Sequence, residues 1–355
     1  MTSNVQKVID VDVHQAPKSG GDLLRYMAEP WKTRFARTGT GGTGLGMHNP
    51  IGVTRSDCRP PSGGPSASDP DFLIEDLMIP HNIEYAVLTG GMAAITNLPD
   101  PDFAAAIASA YNDYMADHWL IDKYPQFRGS ILISGTDAHL AAREIDRMAS
   151  HPKMVNIFMA SGQRALLGQR HYYPIYEAAS RNGIPLSIHP GNEGSGGLPP
   201  PTGHGYPTRY LEWHTSLSQN YMAQLTSLVC EGVFEKFPNL RFAMLEGGIA
   251  WLPGLMWQLD KAYKQLKSTM PWLKRLPSEY IRDHCMLSTQ PIEEPDDPKQ
   301  LLMLFDMIDA ENFLMFSTDY PHWDNDMPTE ILKRLRPEAR QKIYYDNAKT
   351  FYRIQ

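Results

Sequence analysis

Residues 8–17, Val8-Ile9-Asp10-Val11-Asp12-Val13-His14-Gln15-Ala16-Pro17, decide the fold. The run is apolar and β-branched, as a strand buried on both faces of a parallel sheet must be. A doubly wound nucleotide-binding sheet needs a glycine-rich turn directly after its first strand. Here the strand is followed by Val13, His14, Gln15, Ala16 and Pro17, so that architecture is excluded.

Seven further β-rich runs follow: 84–88 (EYAVL), 129–133 (GSILI), 154–159 (MVNIFM), 185–189 (PLSIH), 240–245 (LRFAML), 285–288 (CMLS) and 312–317 (NFLMFS). Helix-like stretches lie between them, among them 103–121, 138–148, 216–234 and 251–266. In the second of these, Asp137 is a candidate N-cap, and Leu140, Ala141, Ile145 and Met148 recur at helical spacing. Eight β-then-α units predict a (β/α)8 barrel of the α/β class. A minimal barrel takes about 250 residues, so a chain of 355 leaves room for insertions within one domain, 1–355. The excess falls in three places: an insertion at 37–70 rich in Gly, Pro and Ser, a loop at 191–210, and a C-terminal helical tail at 334–355. The two loops follow strand ends and are expected to cap the C-terminal face, where barrel sites form.

Composition narrows the function. Lys and Arg total 33 against 40 Asp and Glu, a net charge of −7, which argues against a nucleic-acid surface. No apolar run reaches the length of a membrane span. Cys58, Cys230 and Cys285 are odd in number and form no Cys-x-x-Cys pair, so a disulfide scaffold or thiolate zinc site is not expected and a reducing cytoplasm fits. The expected partner is a small-molecule substrate, with no nucleic acid and no membrane.

The chemistry sits at strand ends. Alternate strand residues share a face, so Asp12 and His14 point the same way, and Asp10 points there from deeper in the strand. Run five ends in His189 and run six in Glu246. After run eight come Asp319, Tyr320, Pro321, His322, Trp323 and Asp324. In a barrel these ends converge on one axis, and carboxylates with imidazoles but no thiolate suit zinc, manganese or iron. His214, just beyond the 191–210 loop, is either a pocket residue or a capping histidine. His204 is a weaker candidate, and Asp324 and Asp326 read as solvated turn residues. Met256, Trp257 and Leu259 read as core. No serine-nucleophile elbow and no phosphate loop is present.

In order and spacing, Asp12-x-His14, His189, Glu246-Gly247-Gly248-Ile249-Ala250-Trp251-Leu252-Pro253 and Ser317-Thr318-Asp319-Tyr320-Pro321-His322 resemble the amidohydrolase-related branch of the amidohydrolase superfamily. That branch contains aminocarboxymuconate-semialdehyde decarboxylase, resorcylate decarboxylases and related hydrolases. The resemblance covers nearly the whole chain. It implies a metal held by Asp12, His14, His189 and Asp319, with Glu246 or Asp319 shuttling protons. The implied reaction is hydrolysis of a C–O or C–N bond, or non-oxidative decarboxylation of an unsaturated or aromatic acid. It also implies a homodimer. The chain departs from the branch in two positions: the first motif is usually His-x-His or Glu-x-His, and the position of Glu246 is usually a histidine.

No lysine lies in 154–160, so the carboxylated lysine that bridges two ions elsewhere in the superfamily is absent. One zinc or manganese ion is therefore expected. Glu246 and His322 are left over; they serve a second ion, or a base and a substrate-binding or hydrogen-bonding group. The rival reading is a dinuclear non-haem iron monooxygenase with two irons, hydroxylating a mostly apolar substrate. A third reading is a non-catalytic binding barrel, which the complete set of core ligands disfavours.

Overall fold

The computed structural model describes residues 6–40, 53–91, 95–96, 98–191, 193–194, 198–203, 205–328 and 332–355. Eight strands form one parallel sheet in sequence order: β1 (Val8–Val13), β2 (Ile83–Leu88), β3 (Phe127–Leu132), β4 (Met154–Ala160), β5 (Leu186–His189), β6 (Phe242–Met244), β7 (Cys285–Ser288) and β8 (Leu314–Met315). Each coincides with one of the eight runs read from the sequence. The ring closes where the Val11 N–H donates to the Phe316 carbonyl at 3.0 Å and the His14 N–H to the Tyr320 carbonyl at 2.8 Å. The architecture is the expected (β/α)8 barrel.

The apolar runs explain themselves by burial. All six residues of β1 and all seven of β4 are buried, because the barrel interior covers one face and helices the other. Helix Ala138–Met148 shows how the outer ring attaches. Asp137 accepts the N–H groups of His139 and Leu140 at 2.9 Å each, a cap worth about 1 kcal/mol. Ala138, Ala141, Ile145 and Met148 are then buried against the sheet. In helix Leu252–Leu266, Met256 is core as expected, but Trp257 is exposed.

The insertion at 37–70 begins as the end of helix Trp31–Thr38, and its residues 41–52 lie outside the described residues. It returns over the barrel mouth. Thr54 pairs antiparallel with His322, and the N–H groups of Arg55 and Trp323 donate to Pro321 and Val53, each at 2.9 Å. The C-terminal tail forms the helical segments Pro337–Gln341, Lys342–Asp346 and Asn347–Phe351. It braces β8: the Asn347 amide donates to the Leu314 carbonyl at 2.7 Å. No helix among the described residues is long and apolar enough to cross a membrane.

Candidate metal centre

β1 delivers Asp12 and, just past its end, His14, both buried. Asp10 lies on the same face but takes no part in the cluster. Its carboxylate accepts the Thr318 N–H at 3.0 Å and the Thr318 hydroxyl at 2.5 Å, sewing β1 to the segment after β8. Burial pushes the Asp10 carboxyl up to about 7 despite these bonds.

The two buried imidazoles are oriented by backbone carbonyls. His14 Nδ1 donates to the Gly90 carbonyl at 2.9 Å, and His189 Nδ1, at the end of β5, donates to the Pro190 carbonyl at 2.8 Å. Carbonyls only accept, so each Nδ1 carries the proton and each Nε2 is turned into the barrel mouth. Asp12 is held similarly: Thr89 Oγ1 donates to Oδ1 at 2.7 Å. Asp319 receives His322 Nδ1 on Oδ1 at 2.8 Å.

What remains is four inward atoms. Asp12 Oδ2, His14 Nε2, His189 Nε2 and Asp319 Oδ2 are buried and have no hydrogen-bond partner. Asp12, His14, His189 and Asp319 each offer a ligand atom within 4.8 Å of the others. Leaving so many buried polar groups unsatisfied costs on the order of 1–3 kcal/mol apiece, and a cation at their centre removes that cost. The residues fit a divalent metal ion, and the all-nitrogen-and-oxygen donor set suits zinc or manganese.

Glu246 and Asp319 both sit in left-handed backbone, at φ 56° and 60°. Non-glycine residues hold that conformation only where the surroundings enforce it. For Glu246 the enforcement is visible: its N–H donates to Ser288 Oγ at 3.0 Å, and the following turn hangs on Glu293, which accepts from Ile249 and Ala250. The Glu246 side chain is aimed between two imidazoles, with Oε2 2.9 Å from His189 Nε2 and Oε1 3.6 Å from His214 Nε2.

The charges shape one another. Burial alone would raise the Asp12 carboxyl, but the facing imidazoles of His189 and His14 hold it below the usual range. Glu246 is lowered in the same way, chiefly by His189. Asp319 goes the other way: burial and the neighbouring Glu246 push it well up. Burial opposes charging His189, yet Asp12 and Glu246 prevail and raise it well above an ordinary histidine. The His322 pKa, for a side chain still partly exposed, is lowered chiefly by burial.

His214 is part of this site rather than a surface cap. Its Nε2 lies 3.1 Å from Asp324 Oδ2, and its ring stacks on Tyr210 at 5.6 Å. Trp323, half-exposed, also lies against the His214 ring at 5.6 Å, its indole N–H directed to the Tyr210 hydroxyl at 3.4 Å. Asp324 is thereby corrected: it is partly buried and paired, not a solvated turn residue. Asp326 is likewise partly buried, and its carboxyl is pushed up by burial to about 7. His204 lies outside the described residues. Glu193, in the 191–210 loop, was not legible in advance; it is buried beside His189, accepting the Ser161 hydroxyl at 2.6 Å and the Gly191 N–H at 3.0 Å.

A protein-family model described as amidohydrolase matches residues 9–354. A gamma-resorcylate decarboxylase from Rhodococcus jostii (strain RHA1) is 25% identical over 295 residues, covering 78% of this chain and 86% of that protein. The crystal structure of a 5-carboxyvanillate decarboxylase from Sphingomonas paucimobilis superposes with a TM-score of 0.70 at 19% identity, covering 99% of this chain and 100% of that one. A dihydroxybenzoic acid decarboxylase from Polaromonas sp. JS666, solved with bound manganese and the inhibitor 2-nitroresorcinol, superposes with a TM-score of 0.68 at 20% identity, covering 98% and 97%. At these identities the two structures speak for the fold.

Proposed function

Because the chain belongs to the amidohydrolase family, we propose that it is a metal-dependent carboxy-lyase that removes carbon dioxide, without an oxidant, from a small hydroxylated aromatic acid. The observation that carries this reading is the set of four buried, unpartnered donor atoms on Asp12, His14, His189 and Asp319. The relatives named above act on resorcylate, carboxyvanillate and dihydroxybenzoic acid, which supports the substrate class. They lend no support to an oxygen-activating iron pair.

In this proposal Asp12, His14, His189 and Asp319 hold one divalent cation. Bound there, it supplies a positive pole that draws in the carboxylate and the adjacent phenolic oxygen of the substrate and offsets their charge. The protein does the rest. Asp319, with Oδ2 turned toward the cation, takes a proton on Oδ1 from His322 Nδ1 and delivers it to the ring carbon that bears the carboxylate. The new C–H bond forms, the C–C bond to the carboxylate breaks, and its electron pair returns to the ring, which regains aromaticity. Carbon dioxide leaves, and one proton is consumed per turnover. His322, 2.8 Å from Asp319 Oδ1 and partly exposed, relays a replacement proton from solvent. Tyr210 and Trp323, each 5.6 Å from the His214 ring, offer aromatic faces suited to a planar substrate.

The reading extends to a homodimer in a reducing compartment. Exposed Trp257, Met303 and Met307 on helices Leu252–Leu266 and Pro298–Ile308 support pairing, and the three free cysteines support the compartment.

The test is a panel of 2-hydroxybenzoates offered to the manganese-loaded protein, beside a panel of esters, lactones and amides. Release of carbon dioxide with formation of the corresponding phenol is expected. Turnover of only the second panel would replace the carboxy-lyase by a hydrolase.

A further inference from the structure

We propose that the site holds a second divalent cation, ligated by His214, Glu246 and Asp324, with the Glu246 carboxylate spanning the two ions. The inference rests on the proposed function, since it adds an ion beside the one held by Asp12, His14, His189 and Asp319.

Three observations carry it. First, His214, Glu246 and Asp324 form their own group of ligand atoms within 4.8 Å of one another, distinct from the first group. Second, the two oxygens of Glu246 lie against different imidazoles: Oε2 is 2.9 Å from His189 Nε2 and Oε1 3.6 Å from His214 Nε2. Both imidazole nitrogens are buried and neither makes a hydrogen bond, despite lying this close to the carboxylate. Donors and acceptors that approach without aligning are aimed at common points rather than at each other. A carboxylate that offers one oxygen to each of two centres is the usual bridge of a two-metal site. Third, Asp319 Oδ2 is also buried and unpartnered, and Asp319 belongs with Glu246 and His322 to a further group that links the first two.

Charge points the same way. Asp12, Glu246, Asp319 and Asp324 converge on one mouth, and every ion pair they make among the described residues is with an imidazole. One divalent ion offsets two carboxylates and a second offsets the others. Asp324 is set for this position: Gln290 Nε2 donates to its Oδ2 at 3.0 Å, and the same oxygen lies 3.1 Å from His214 Nε2. His214 is backed by the Tyr210 ring. The donors are again only nitrogen and oxygen, so manganese, iron and zinc are the ions of choice. A second positive pole beside the first would suit a substrate with two neighbouring anionic oxygens.

The experiment is metal stoichiometry of the full chain, stripped and reloaded with manganese(II), read by mass spectrometry of the metal and by electron paramagnetic resonance. The expected result is two ions per chain with an exchange-coupled spectrum. Asp324→Asn and His214→Gln should each reduce this to one ion with an isolated-ion spectrum, while circular dichroism stays unchanged. One ion per chain in the unsubstituted protein, with carbon dioxide still released from hydroxybenzoates, would overturn the second site and leave the proposed function standing. Two ions retained in both variants would overturn the ligand assignment. No bound manganese at all would overturn both.

Discussion

The Asp319 backbone N–H donates to the Asp12 carbonyl at 3.1 Å. The two residues whose carboxylates meet in the barrel mouth are thus also a rung of the ladder that closes the barrel between its first and last strands. The position of each carboxylate is fixed by the fold itself, with no long side chain to order.

Replacing Asp319 by asparagine keeps that backbone rung and the shape of the side chain. It removes the charge and the transferable proton. Turnover should fall by about 10²–10⁴-fold, the usual worth of a positioned acid, and metal should be held more weakly. The circular dichroism spectrum should not change. An Asp319→Asn protein with undiminished metal content and turnover would remove this residue from the site.

Thr89 touches no metal position, yet its hydroxyl donates to Asp12 Oδ1 at 2.7 Å and so turns Oδ2 inward. Groups that orient a ligand typically affect metal affinity by about 10–100-fold. Thr89→Val should weaken manganese binding within that range in a competition titration against a chelator. An unchanged dissociation constant would mean that Asp12 is oriented without it.

Metal should also stabilise the fold, because it satisfies buried atoms that otherwise have no partner. With free manganese at a hundred times its dissociation constant, linkage gives about 2.7 kcal/mol for one site. Thermal unfolding with and without a chelator measures this directly. The midpoint should rise with manganese concentration in the unsubstituted protein and far less in His189→Ala.

A pH dependence independent of the site comes from His284. It is buried, stacked on Phe234 at 4.7 Å, and bonded through Nδ1 to the Leu240 carbonyl at 2.7 Å. Burial lowers its pKa below that of a free histidine. The folded protein therefore prefers the neutral ring. Its contribution is present in full above the ordinary histidine pKa of about 6.5 and is lost as pH falls toward the depressed value. Stability should rise with pH through that window, with a slope below the limit of about 1.4 kcal/mol per pH unit that one full proton would give. His284→Asn keeps a donor for Leu240 and cannot titrate there, so its denaturation curves should lose that slope.

The barrel was legible because strands buried on both faces must be continuously apolar, and eight such runs stand out from their surroundings. Asp12 and His14 were legible through strand parity. His189, Glu246 and Asp319 were legible because a charged group ending an apolar run needs a reason. Asp324 was not. Its partner, His214, lies on the helix Tyr210–Thr215, and nothing local distinguishes Asp324 from a turn former. Glu193 sits in a glycine- and proline-rich loop whose burial depends on Ser161 from another strand end. The pairing of Thr54 with His322 was hidden for the same reason. Local pattern reveals what each strand carries; which loops fold over the mouth is decided by contacts distant in sequence.

The central claim is metal-dependent, oxidant-free decarboxylation with protein-delivered protonation of the ring. The most direct test is turnover of the best hydroxybenzoate in deuterium oxide with oxygen removed, before and after stripping and reloading manganese. The account predicts one carbon dioxide per phenol formed, one deuterium at the carbon that bore the carboxylate, and activity that vanishes on stripping and returns on reloading. Turnover that needs oxygen, adds an oxygen atom to the product, or persists without metal would contradict it.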